Sequence, residues 1–337
     1  MTALASSASF RKRARASRVP SGPLLVVTAA LLWGTVGPAA ALAGSQLSAV
    51  VLGGWRQALG GAVLVLPSLA RGRHRELVAL ARSRAVLAAA AATGVFQVLF
   101  LYAVAQAGPG TATALALGIA PAATGACAWL CFREGVGVAW LVGTALCIGG
   151  TAALLSGAVA SSSQSIAGLG AAIGAGVCYG AYTVAAKVIT AGGTSPTAAA
   201  GVSLLLGCLP ALPFMVAGAD DLQTPSAVAL VVWLGVIATG AAYWCFMRGL
   251  ASTSAPVAGT LSLAEPVAAL ALGALLLAER LDPLQLLGCV AVVIGLAVST
   301  TARTATADDR PTLTTQGHRA PRPPGDFEVA AARRSSG

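Results

Sequence analysis

Charge is what this sequence has least of. Asp, Glu, Lys and Arg make up 9% of its 337 residues, against roughly 25% in an ordinary soluble domain. A deficit of that size leaves too little polar surface to keep a fold of this length in water, which excludes a soluble enzyme or binding domain. Histidine is nearly missing too: His74 and His318 are the two, one in a loop and one near the C-terminus, and neither is placed to relay a proton. No His/Cys/Asp/Glu group has metal-ligand spacing, and no GxxxxGK[ST] phosphate loop or Ser-His-Asp set stands out. Catalysis, a metal, a cofactor and ATP hydrolysis therefore have no visible carrier. The seven cysteines (Cys127, Cys131, Cys147, Cys178, Cys208, Cys245, Cys289) fall inside apolar stretches, are odd in number and lack CxxC spacing. They read as small packing residues.

What the chain does have is apolar length. Hydrophobic residues reach 57% and the mean hydropathy is +0.82. Ten apolar runs are visible, at about 22–43, 47–69, 85–107, 111–131, 137–157, 166–188, 197–217, 226–247, 254–278 and 284–302. A run of about 20 residues crosses the hydrocarbon core of a bilayer as a helix. The first run is too long for the apolar part of a typical signal peptide, so it reads as a retained span. Gly, Ala, Ser and Thr crowd the runs, as close helix packing in lipid prefers. Pro38, Pro121 and Pro266 lie inside them, each removing a backbone donor and expected to kink its helix. The expected fold is an all-α integral membrane protein of ten transmembrane helices.

The formal charge of +10 does not sit on a basic face that would bind nucleic acid. Sixteen of the 21 Lys and Arg residues occupy the N-terminal tail, the 70–84 loop and the C-terminal tail. With both termini in the cytoplasm, 19 of the 21 lie inside, leaving Arg280 outside and Arg56 within the membrane. The positive-inside rule then places both termini in the cytoplasm of a cell (plasma) membrane.

The chain also repeats itself. Residues 112–152 align without a gap on 257–297, placing Pro121 on Pro266, Glu134 on Glu279, Gly143 on Gly288 and Gly150 on Gly295. Upstream the offset is 146, with Gly22 on Gly168, Gly34 on Gly180, Gly61 on Gly207 and Pro67 on Pro213. Glycine matches come cheaply among 40 glycines, but a Glu-on-Glu match among five glutamates does not. Five spans per repeat is an odd number, so the second copy must enter the membrane from the other side: the repeats are inverted. The expected organisation is a disordered basic tail (1–21), a first five-helix repeat (22–157), a linker (158–165), a second five-helix repeat (166–302) and a disordered tail (303–337). Duplicated apolar halves of this kind build many secondary transporters, with the binding site at their interface.

The repeat plan, together with Leu32-Trp33-Gly34, Trp55-Arg56, Pro121 with Glu134, Glu265-Pro266 with Glu279, and Tyr243, resembles the EamA-type members of the drug/metabolite transporter superfamily. The resemblance covers about 22–302. It implies export or uptake of small metabolites, often amino acids or drug-like amphiphiles. It also implies a central cavity enclosed by spans 1–4 and 6–9, spans 5 and 10 at the periphery, and alternating access between the repeats. One departure is plain: Val202 stands opposite Arg56 in the second repeat.

Among single residues, Arg56 is the one cation well within a span, where a charge normally faces protein or water. It either anchors an anionic group or serves a structural partner. Glu265 is the matching acid, either a protonation site for proton coupling or a cap for backbone groups freed near Pro266. Trp33, Tyr102, Tyr179, Tyr182, Tyr243 and Trp244 are the polar-tipped aromatics available to a cavity, against the alternative of packing or interfacial belts, and Gln97 is a candidate hydrogen-bonding amide. Pro121, Glu134, Pro266 and Glu279 read as structural residues of the repeat. The expected function is secondary active transport, most simply export, of a small-molecule substrate across the lipid bilayer, without a cofactor. The rival is a non-transporting protein that handles lipid or assists assembly, which predicts no polar cavity between the halves. A membrane enzyme comes third.

Overall fold

The computed structural model describes residues 22–44, 47–133, 135–157, 165–193 and 195–301. Both tails expected to be disordered, nearly all of the 158–165 linker, and Glu134 lie outside the described residues. Ten helices cross the bundle: α1 (Gly22–Ala43), α2 (Ala49–Ala70), α3 (Arg84–Ala107), α4 (Pro109–Phe132), α5 (Val138–Leu154), α6 (Ile166–Ala191), α7 (Pro196–Ala217), α8 (Pro225–Ala251), α9 (Ala255–Leu276) and α10 (Pro283–Thr300). Nine have at least 18 residues and apolar windows fit for a bilayer; α5 has 17. A two-turn helix, His74–Ala81, lies between α2 and α3.

Packing follows the duplication. α3 lies on α6 and α7, and its equivalent α8 lies on α1 and α2; α4 meets α6, as α9 meets α1. Three pairs join equivalent helices directly: α2 with α7, α4 with α9, and α5 with α10. Along the last pair, a Cβ on Gly143 would stand 2.7 Å from the Gly295 carbonyl oxygen, and one on Gly288 would stand 2.7 Å from that of Gly150. These two contacts exchange under the 145-residue offset. Between them the Cys147 thiol donates to the carbonyl of its own equivalent, Val292, at 3.5 Å. Rising numbers on α5 meet falling numbers on α10, so equivalent helices run antiparallel about a pseudo-two-fold axis. The repeats are inverted, as the odd number of spans requires.

The prolines act selectively. α1 is interrupted at Gly34–Thr35 and α9 at Ser262–Leu263, in each case beginning four residues before Pro38 and Pro266. That is the carbonyl a helical proline ring strikes. α4, by contrast, stays helical through Pro121 without an interruption. A third interruption was not anticipated: α7 tightens into a 3-10 turn at Leu209–Ala211, which contains Pro210 and lies just before Pro213. Within α8, Trp233–Ala241 widens to π-helix, a distortion common beside functional sites.

An even number of crossings brings Gly22 and Thr301 to one face. That terminal face is packed shut by Val26, Ala30, Ala186, Phe246, Leu250 and Leu261, all fully buried. Lys187 fastens α6 to the α8–α9 turn, its ammonium donating to the carbonyls of Leu250 at 2.7 Å and Thr253 at 2.8 Å. Glu76, on the short helix, accepts from the Ser195 backbone N–H at 3.4 Å, at the N-terminus of α7. The opposite face holds the mouth of a cavity.

Candidate functional site

The cavity lies on the pseudo-axis. Its outer part, about 430 Å³, is lined by residues from Val36 and Gly37 of α1, Leu52 and Gly53 of α2, Leu101 and Val104 of α3, and Pro109 and Thr113 of α4. These come from the helix halves away from the terminal face, so the cavity opens on the opposite side. Its floor, shared with a smaller inner chamber of about 100 Å³, consists of Trp33, Arg56, Phe96, Tyr179 and Glu265. Tyr182, Tyr243, Thr93 and Cys178 close the inner chamber. α5, α7 and α10 contribute nothing to either part. The family resemblance implied this for α5 and α10, but α7 departs from it.

Each functional side chain has a local reason to point inward. Tyr179 and Tyr182 are three residues apart on α6 and share a face; Phe96 and Phe100, four apart on α3, stack with centroids 5.5 Å apart. Trp33 ends the first segment of α1 and stands edge-on to Tyr243 at 5.5 Å and to Tyr179 at 6.5 Å. Tyr182 meets Tyr243 at 5.7 Å. Phe246, buried behind them, packs on Trp33 at 5.4 Å. Glu265 falls in the first turn after the break in α9, where the positive end of the helix dipole favours a carboxylate.

The polar groups are left open. The described residues form one ion pair within 4.0 Å, Arg73–Glu76, so Arg56 and Glu265 face the same cavity without joining. The Tyr179 and Tyr182 hydroxyls are buried and have no hydrogen-bond partner. Ser262 is beside Tyr179; its hydroxyl donates to the Ala258 carbonyl at 3.1 Å, which leaves its oxygen able to accept from the Tyr179 phenol. Arg56 and Glu265 thus share one cavity with the Tyr179 and Tyr182 phenols beside them.

Of the nine residues expected at the cavity, seven meet there: Trp33, Arg56, Gln97, Tyr179, Tyr182, Tyr243 and Glu265. Tyr102 and Trp244 do not; they are 47% and 42% exposed on the outside of the bundle. Trp244 is one residue past Tyr243, a turn of about 100° about the helix axis, and its ring carries the Arg248 guanidinium at 4.8 Å. The cavity also takes Phe96, Phe100 and Thr93, which were not among the expected residues, and Cys178, which read as a packing residue in the sequence. The i, i+4 phenylalanine pair bracketing Gln97 was the available signal. Among the structural residues, Pro121 and Pro266 are buried. Glu279 follows Ala278, whose φ is +55°, and Ala278 is the equivalent of Arg133, with φ +57°; these are the two left-handed non-glycine residues described. The Glu279 carboxylate lies against Gly273, where a side chain would collide with it.

Fold and site define a multi-pass membrane protein with a polar, aromatic-lined cavity between inverted repeats. Residues 20–156 and 166–301 each match the EamA-like transporter family. The chain is 31% identical over 281 residues to the uncharacterized transporter YwfM of Bacillus subtilis (strain 168), covering 83% of this chain and 93% of that one. A protein of known crystal structure, 24% identical, superposes with a TM-score of 0.71 over 83% of this chain and 96% of its own; at that identity the likeness speaks for the fold alone. The chain belongs to the EamA-like transporter family, within the drug/metabolite transporter superfamily, and is a membrane transporter.

Proposed function

We propose that the protein is a secondary transporter that exports a small zwitterionic solute with an apolar part, an amino acid or a similar amphiphile, across the plasma membrane. The observation that carries this is the pair Arg56 and Glu265, facing one cavity without contact and ringed by Trp33, Phe96, Tyr179 and Tyr243. A carboxylate on the solute meets the guanidinium, which binds it bidentately, and an ammonium meets Glu265. The rings take the apolar part and add cation–π attraction, while the phenol hydroxyls supply directional hydrogen bonds. A lone charge of either sign would leave one group unanswered. The non-transporting rival called for no polar cavity between the halves, and this cavity weighs against it.

The charge count places the termini in the cytoplasm, so the conformation described is outward-open. Transport then requires the terminal face to open, releasing the Lys187 and Glu76 contacts, while the outer halves of α1–α4 close. Glu265 serves coupling by holding a proton in one phase of the cycle and the solute in the other.

The test is flux in reconstituted vesicles. Aromatic and aliphatic amino acids should move with an imposed proton gradient, and Glu265→Gln should lose the gradient dependence. Flux of an uncharged solute through Arg56→Gln at the wild-type rate would overturn the zwitterion reading.

A further inference from the structure

A second site is built into the side of the bundle. α3 and α7 touch backbone to backbone: a Cβ on Gly94 would stand 3.0 Å from the Gly207 carbonyl oxygen, and one on Gly207 would stand 3.1 Å from that of Ala90. Hollows lie on both sides of this contact, and both are bordered by Gly94, Val98, Gly207 and Pro210. The outer hollow, about 480 Å³, is walled by Leu87, Val95, Leu99, Leu206 and Leu209. Leu87, Val98 and Leu209 are 46%, 56% and 54% exposed at its rim, where they face lipid. The inner hollow, about 170 Å³, holds Gln57 and Gln97. Gln57 is 4% exposed and its amide oxygen has no partner. Gln97 and Leu101 also line the central cavity. A line of hollows therefore runs from the lipid, past one glycine contact, to the transport site.

At the pseudo-symmetric seam of α2 and α8 the contacts differ: Gly61 and Gly240 are the equivalents of Gly207 and Gly94, and there Leu59 packs onto Gly235 and Val63 onto Gly240. The joint in α7 begins one residue past Gly207, with Pro210 and Pro213 unable to donate across it. The helix can bend there at little cost in hydrogen bonds.

We infer that the α3–α7 seam is a gated lateral site for a single-chain amphiphile with a hydrogen-bond-donating head, an alkyl amine or alcohol taken from the bilayer. The alkyl chain lies in the outer apolar hollow. The head donates to Gln57, whose idle oxygen at bilayer depth is unfavourable until it accepts a bond. A phospholipid presents only acceptors at its phosphate and ester groups; these can meet the Gln57 amide N–H but leave its oxygen without a partner. As a binding site on the side of the bundle it stands independently of the transport reading, whose zwitterionic solute is a different ligand.

The test uses the full chain in phosphatidylcholine vesicles, photolabelled with dodecylamine carrying a diazirine in its tail and mapped by mass spectrometry. Label should concentrate on 87–99 and 206–210, be displaced by excess dodecylamine, and fall about fivefold, the size of one buried hydrogen bond, in Gln57→Leu. Val98→Trp, at an exposed position, should block the outer hollow and lower the label without disturbing the core. Label spread evenly round the bundle, or unchanged in both variants, overturns the proposal. So does a diazirine phosphatidylcholine that labels the seam to the same degree and is equally displaced. Seam labelling without flux leaves this site standing and removes the transport reading; flux of an amino acid without seam labelling does the reverse.

Discussion

The two repeats agree in their packing and disagree in their charge. Gly143 and Gly288 meet each other's partners at equal distances, Gly34 and Gly180 seat the equivalent residues Ala268 and Ala123, and Arg133 and Ala278 take the same left-handed turn. Arg56, by contrast, falls on Val202, and Glu265 on Ala120, two buried apolar residues at 7% and 2% exposure. Backbone contact between crossing helices is a steric requirement that every copy of the seam must meet, so it is written twice. The cavity straddles the axis and is a single space. On the proposed function its charges are needed once, and one in each half would give a zwitterionic solute a direction in which to lie.

The sharpest test exchanges chemistry between the halves. Ala120→Glu puts an unpaired carboxylate into a closed, apolar position and should cost about 3 kcal/mol or more, read as loss of monodisperse protein in detergent. Glu265→Ala, at a position bordering water, should leave the fold intact. Equal behaviour of the two would mean that the halves are chemically interchangeable after all. Next in size, Arg56→Gln should weaken substrate binding by about 2 kcal/mol, roughly thirtyfold, while Val202→Thr leaves affinity within about twofold. A matching loss at both positions, measured by calorimetric titration, would break the asymmetry.

The frame is tested by asking for sameness. Gly143→Val and Gly288→Val should each destabilise by about 1–3 kcal/mol, because the added side chain meets backbone that cannot yield. Their thermal midpoints should fall together. A large drop in one and none in the other would show that the α5–α10 seam is less symmetric than its glycines indicate. The smallest effect belongs to Glu76→Gln, which weakens one part-buried contact to Ser195 worth about 0.5 kcal/mol. Cysteine labelling on the terminal face should rise slightly, and a fall would argue against that contact as a restraint on opening.

Much was legible beforehand where one rule dominates. Bilayer thickness sets helix length, so ten apolar runs gave ten helices with ends differing by a few residues. Five spans per copy forced inversion. Trp33, Arg56, Gln97, Tyr179, Tyr182, Tyr243 and Glu265 stood out because polar tips are rare in apolar spans. The errors came where a span is apolar all round and carries no facial period. Nothing in the string separates Tyr243 from Trp244, yet one helical step sends the first to the cavity and the second to the surface. Pro121 and Pro266 are equivalents in the sequence, yet one helix stays continuous and the other breaks.

What the sequence determined by itself was the membrane, the number of crossings, the duplication and the short roster of polar residues that lipid would not tolerate idle. Each follows from the cost of exposing charge and unpaired backbone to hydrocarbon, which depends on composition and order alone. Only the tertiary structure decided that Arg56 and Glu265 share a cavity without touching, that the Tyr179 and Tyr182 phenols stand beside them, and that hollows flank the glycine contact of α3 and α7. Those outcomes depend on which faces of ten nearly featureless helices meet, and that choice is made by packing in three dimensions.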